Sequence, residues 1–221
     1  MQFVKIYDIL SYLTPVLLLG GILIAFYFRK TLDSIHKSIA YYLLAMLFTE
    51  ISGRIIGDYY HNNLIVLLVY SILELVMLAY FYYKHLFKAK HKLILFIVFL
   101  AVIYILWEIY VFEIRSIKEF QTYAKVVDNF TIILLSLTFF HEKINIFKES
   151  KWDNFRLNAV ILAFFSINML FFLPYNFIIN ETIGFWFWLG ILSSVTLFNS
   201  YLISQIWKNG RTRKLLPSGS R

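Results

Sequence analysis

Cysteine is absent from this 221-residue chain, which excludes disulfides, thiol nucleophiles and cysteine-ligated metals. Charge is scarce: 15% of residues are Asp, Glu, Lys or Arg, against about 25% in soluble domains. No HExxH occurs, and His36, His61, His85, His91 and His141 all fall near the ends of apolar runs, so metal-assisted hydrolysis has no ligand set. No GxSxG occurs either, and no histidine is deep enough to activate Ser193 or Ser194. The last apolar run has no lysine before Lys208 at its end, which excludes a retinal Schiff base deep in a seventh helix. No cofactor and no metal is implied.

What is abundant is apolar surface: 60% of residues are hydrophobic and the mean hydropathy is +0.70. A soluble fold of this size could not hide so much, so its solvent must be lipid. Apolar runs of roughly 20 residues, the length that crosses a bilayer, recur at 7–28, 36–58, 63–83, 92–112, 122–140, 157–179 and 184–207. The first is too long for a signal peptide, and its Lys5 is balanced by Asp8. The connectors are short and leave no space for an extramembrane domain. The expected fold class is therefore all-α: a polytopic integral membrane protein with seven spans in one domain, 1–215, followed by a polar tail, 216–221. Pro15 and Pro174, in the first and sixth runs, are the one trace of a three-plus-three repeat.

The net charge of +8 is explained by orientation. Arg29, Lys30 and Lys37 follow the first run, and Lys84, Lys88, Lys90 and Lys92 follow the third. Lys143, Lys148, Lys151 and Arg156 follow the fifth, and Lys208, Arg211, Arg213, Lys214 and Arg221 follow the seventh. These sixteen share one side; Lys5, Arg115 and Lys118 alone fall on the other. The positive-inside rule then places the N-terminus outside and the C-terminus in the cytoplasm. The basic side faces anionic lipid, and no nucleic-acid partner is expected.

Two cations remain inside spans, Arg54 and Lys125, with the acids Glu50, Glu74, Glu108 and Asp128 and, at an outer end, Asp58. Each costs about 2.5–3.5 kcal/mol at a helix centre, so none should face lipid. Glu50, Arg54 and Asp58, four residues apart, share one helix face. Gly53 and Gly57 form a GxxxG on an adjoining face, suited to close helix approach or self-association. Glu74 is near the midplane, with Tyr70 one turn earlier and Arg54 on the preceding helix as a reachable cation. Glu108 lies near an outer helix end, where it can snorkel to water. Lys125 pairs with Asp128 or Asn129 close to the interface. Asn168 and Asn199 are ordinary interhelical hydrogen-bonding residues. Every in-span charge lies between the midplane and the outer end, and this asymmetry points to an outward-facing polar pocket. Its expected members are Glu50, Arg54, Asp58, Glu74, Glu108, Lys125, Asp128, Asn129 and Asn168.

The segments "FTEISGRIIG", "NNLIVLLVYSILELVMLAYFYYKHL" and "FWFWLGIL" resemble small, uncharacterised bacterial seven-helix membrane proteins, in some of which a similar module heads a sensor kinase. The resemblance implies a sensory module in a bacterial cytoplasmic membrane. This chain carries no kinase, so its output would pass to a separate cytoplasmic partner. The expected function is a receptor-like module that binds a small ligand from outside and shifts its helices. Three alternatives stand beside it. One is a small-solute transporter or proton pathway through Glu50, Arg54 and Glu74. Another is an intramembrane acid–base enzyme using Glu50, Glu74 and Asp128. The third is an effector or scaffold that assembles as a homo-oligomer through Gly53 and Gly57.

Overall fold

The computed structural model describes residues 2–61, 63–112, 122–145, 154–175, 177 and 181–215, and these are all-α. Seven helices follow in order: α1 (Gln2–Tyr27), α2 (Ser34–Tyr60), α3 (Leu64–Phe81), α4 (Lys92–Val111), α5 (Ala124–Asn145), α6 (Phe155–Tyr175) and α7 (Glu181–Leu215). α3 runs on into a π turn, Tyr82–Leu86, closed by the Phe87 amide donating to the Tyr82 carbonyl at 2.8 Å. Helices are what such a sequence must form, because in hydrocarbon each backbone group needs a partner within its own segment.

Six helices, α2 to α7, are long and apolar enough to cross a bilayer; the described apolar part of α1 is Ser11–Tyr27. Their outer surfaces are greasy rather than polar. α4 exposes Leu93, Phe96, Phe99, Ile103, Leu106 and Tyr110, a continuous apolar face suited to lipid. The chain is an integral membrane protein. α7 departs from the expected end at 207: it continues as one helix to Leu215. Its 35 residues measure roughly 52 Å at 1.5 Å per residue.

The helices fall into two compact units, one of Met1–Ile51 with Trp188–Arg221 and one of Ser52–Phe187. In the first unit, two glycines allow close packing. A Cβ on Gly21 would come within 2.6 Å of the Ile203 side chain, and one on Gly210 would collide with the ring base of Phe28. Phe28 also stands edge-on to Trp207, with centroids 5.6 Å apart. Asp33, in the α1–α2 connector, receives the His36 amide at 2.8 Å, contacts the His36 ring at 2.7 Å, and receives the Asn209 amide at 3.0 Å. Arg213 adds its guanidinium at 3.6 Å. Burial pushes the Asp33 carboxyl up, but the His36 hydrogen bonds and the His36 and Arg213 charges outweigh it, holding the group below its ordinary range.

In the second unit α5 is the most buried span, with half of its apolar window inside the protein, and it packs on α3, α4 and α6. Its buried face reads Lys125, Asp128, Asn129, Ile132, Leu135, Ser136 and Phe139, a helical period. At the end of α5, Glu142 accepts the Ala89 amide at 2.7 Å and the Lys88 amide at 3.2 Å, and it contacts the His91 ring at 3.1 Å. One carboxylate thus fastens the α3–α4 connector.

Candidate functional site

The α5 face carries two polar groups separated by apolar residues. The upper group centres on Lys125, in the first turn of α5 and 4% exposed. Its ammonium bonds Glu74 of α3 and, at 2.5 Å, Oδ2 of Asp128. Glu74 and Asp128 are each 0% exposed. The Tyr70 hydroxyl donates to Oε1 of Glu74 at 2.9 Å, and the Tyr70 ring lies 4.5 Å from the ammonium. Phe165 of α6 faces the same ammonium at 5.8 Å, a second cation–π contact. One lysine is shared between two carboxylates, each supplied by a different helix. Breaking such a buried arrangement is costly because the group left behind has no water to turn to.

Some polar atoms on this face have no hydrogen-bond partner among the described residues. Oδ1 of Asp128 and both amide atoms of Asn129 are buried and have no hydrogen-bond partner. Asn129 is 0% exposed and lies one turn from Lys125 on the same face, the i, i+4 relation. Asn168 of α6, one turn beyond Phe165, is also buried, and it is engaged in interactions of its own.

The lower group begins eleven residues along α5, roughly 16 Å from Lys125 by helical rise. Tyr82, at the first position of the π turn, is fully buried; its hydroxyl meets Ser136 Oγ at 2.5 Å and donates to Asn158 Oδ1 at 2.6 Å. The Asn158 amide donates to the Ser136 carbonyl at 3.1 Å. π turns recur at functional positions, and this one delivers a hydroxyl to the centre of the unit. Between the two groups stand Ile132 and Leu135, both 0% exposed.

Lys125 pairs with Asp128, as its spacing predicts, but it is buried rather than solvated and has Glu74 as a second partner. Glu74 also receives a cation from the fifth helix, Lys125, 51 residues away in sequence. Glu108 does not snorkel. It is 5% exposed and accepts the Thr122 hydroxyl, the Tyr123 amide at 3.0 Å and the Ala124 amide at 3.3 Å. A carboxylate on α4 therefore serves as the cap of α5, answering both the free first-turn amides and the positive helix end.

Glu50 and Arg54 are half-buried and engaged, and Asp58 is exposed. The chain divides at Ile51, so Glu50 belongs to the first unit and Arg54 and Asp58 to the second. Gly53 and Gly57 stand in ordinary contact: a Cβ at 53 would meet Val66 at 3.4 Å, and one at 57 would meet Asn63 at 3.8 Å. The tight glycines are Gly21 and Gly210 instead, and no GxxxG spacing marks them. Sequence reasoning also missed Tyr82, Ser136 and Asn158. Ser136 follows Lys125 by three turns on one face, which was the available signal. Arg115 and Lys118 lie outside the described residues.

Among the described residues no three of His, Asp and Glu gather to hold a metal ion. No protein family, curated protein sequence or solved structure matches this chain, so the apolar segments that resemble sensor modules identify no family.

Proposed function

We propose that this protein is a receptor-like membrane module in which the shared Lys125 ammonium is the element that a ligand rearranges. The carrying observation is that one ammonium ties α3 to α5 through Glu74 and Asp128. An ion pair between two helices has two clean states, bridged and released, and a ligand that favours one shifts the population between them. Signalling is then a change in α3–α5 packing, passed to a cytoplasmic partner from helix ends such as the connector held by Glu142.

The topology that goes with this reading has seven crossings, N-terminus outside and C-terminus inside, as the sixteen-to-three division of basic residues indicates. It puts the Lys125 group in the outer half, within reach of an external ligand. A continuous transport or proton pathway is the less favoured reading, because Ile132 and Leu135 separate the two polar groups, and protons need an unbroken polar chain.

The absence of cysteine gives a direct test. Tyr80 of α3 and Leu137 of α5 both have exposed side chains, so Tyr80→Cys and Leu137→Cys allow spin labelling of an otherwise unreactive protein. In lipid nanodiscs, Glu74→Gln should shift the label-to-label distance distribution relative to the parent. An unchanged distribution would show that the ion pair does not set helix packing, and the receptor reading would fall.

A further inference from the structure

We infer that the corner where the end of α1 meets the basic end of α7 is a seat for the phosphate headgroup of an anionic phospholipid. This corner belongs to the first compact unit and plays no part in the receptor reading above.

Three sets of contacts build the corner. The Phe28 ring packs against Gly210 and stands edge-on to Trp207. Asp33 holds Asn209 and Arg213. The Lys214 ammonium donates to the Tyr27 hydroxyl at 2.8 Å and lies 4.7 Å from the Tyr27 ring centroid. Arg29 and Lys30 fall in the chain between Phe28 and Asp33, so the short reach of a few residues keeps both close to α7. On α7 itself, Trp207, Arg211 and Lys214 follow one another along a single stripe, and all three are exposed.

Charge at the corner is one-sided. Residues 26–37 and 207–214 together carry seven Lys or Arg and a single acid, Asp33. Asp33 is committed within the fold, to His36, Asn209 and Arg213. The remaining cations have no second acid in either segment, and Arg29, Lys30, Arg211 and Lys214 are all exposed.

The surroundings separate this corner from an ordinary solvated basic face. Val16, Leu19, Leu23, Phe26 and Tyr27 are exposed along one side of α1, a stripe at helical spacing of the kind acyl chains cover. That stripe runs directly into the cations. The Arg29 guanidinium lies 4.5 Å from the Phe26 ring centroid, as the Lys214 ammonium lies over Tyr27. Lipid-facing side chains thus end in contact with positive charge, and Tyr27 and Trp207 are the residue types that settle at headgroup level. The Tyr27 hydroxyl accepts from Lys214 and keeps its own proton to donate to an oxygen. Arg29 and Arg211 supply planar guanidinium donors that match phosphate geometry. A phospholipid satisfies both halves, chains along α1 and phosphate at the corner, whereas a free phosphate would use only the second.

The test is thermal unfolding of the full chain in mild detergent, followed by tryptophan fluorescence, with dioleoylphosphatidylglycerol titrated into the micelles against dioleoylphosphatidylcholine. Phosphatidylglycerol should raise the Tm saturably, and phosphatidylcholine should not. One Lys or Arg at an anionic surface is worth roughly fivefold in affinity. Arg211→Gln with Lys214→Gln should therefore weaken the apparent phosphatidylglycerol affinity at least about tenfold. Arg29→Gln with Lys30→Gln should do the same from the α1 side. Lys88→Gln with Lys90→Gln, which removes equal charge from the α3–α4 connector, should change it far less. Equal losses in all three double variants would reduce the effect to general surface charge and overturn the inference. So would a Tm that responds alike to the two lipids. If glycerophosphoglycerol, the same headgroup without chains, gives the full shift at the same concentration, a soluble phosphate occupies the corner and the lipid reading falls.

Discussion

Replacing Lys125 by methionine keeps most of the side-chain volume and removes the only charge that Glu74 and Asp128 are seen to share. Both carboxylates stay fully buried, and two like charges then face each other without water. Loss of one partner from a buried ion pair costs about 3–5 kcal/mol in soluble proteins. Uptake of a proton by one carboxylate offsets part of this, which favours the lower end of that range. With about 2–4 °C of Tm per kcal/mol for chains of this size, Lys125→Met should melt roughly 6–20 °C below wild type. Thermal unfolding in a mild detergent, scored by tryptophan fluorescence and by retention in solution, measures it. The control is the fully neutral set, Lys125→Met with Glu74→Gln and Asp128→Asn. Because a buried ion pair is often no better than neutral residues of its size, this set should recover most of the loss. A single variant that melts like wild type, or a neutral set no better than the single change, would refute the view that these charges hold one another.

Three further outcomes follow from the geometry. Gly210→Ala should destabilise by about 1–3 kcal/mol through overpacking on Phe28, whereas Gly53→Ala, with an ordinary contact to Val66, should be neutral or gain up to about 1 kcal/mol from helix propensity; paired melting curves decide it. Glu108→Ala should cost about 1–3 kcal/mol by stranding the first amides of α5, with hydrogen exchange rising at Tyr123 and Ala124 before it rises mid-helix. The Asp33 carboxyl titrates below its ordinary range, so its contribution is fully present above about pH 4 and is lost as pH falls through the lower folded value. Asp33→Asn should therefore lower stability at neutral pH and flatten the acid limb of the pH–stability curve, and an unchanged acid limb would remove Asp33 from that role.

The helices were legible because the signal for them is local: twenty apolar residues announce a span without reference to any other part of the chain. The end of α7 was not, because the residues after 207 are charged and read as connector. Lys208, Arg211, Arg213 and Lys214 are good helix formers, and Gly210 against Phe28 supplies a packing contact that no periodicity displays. The ionisable residues could be counted from sequence, and Lys125 with Asp128 could be paired by i, i+3 spacing. Glu74 with Lys125 could not, since that choice is made by how α3 meets α5. Glu108 was misread because a carboxylate near a helix end looks solvated until the following helix is seen to start beneath it. Buried amides such as Asn129 and Asn158 carry no sequence mark that separates a satisfied one from an unsatisfied one.

The length of α7 has a mechanical consequence. At roughly 52 Å against about 30 Å of hydrocarbon, tilt alone would have to exceed about 50° to submerge it, beyond the usual 0–40° range. Within that range roughly 13–22 Å of helix must therefore stand clear of the hydrocarbon, with Lys208, Arg211, Arg213 and Lys214 along the basic end. A rod of that length has leverage: a 10° change of inclination within the bilayer would carry its tip about 2–4 Å sideways by simple geometry. The Asp33 contacts to Asn209 and Arg213 hold the rod near its far end, against the α1–α2 connector. The Lys214 ammonium also donates to the Tyr27 hydroxyl at 2.8 Å, so any change in the inclination of α7 is carried directly into the end of α1 and the α1–α2 connector.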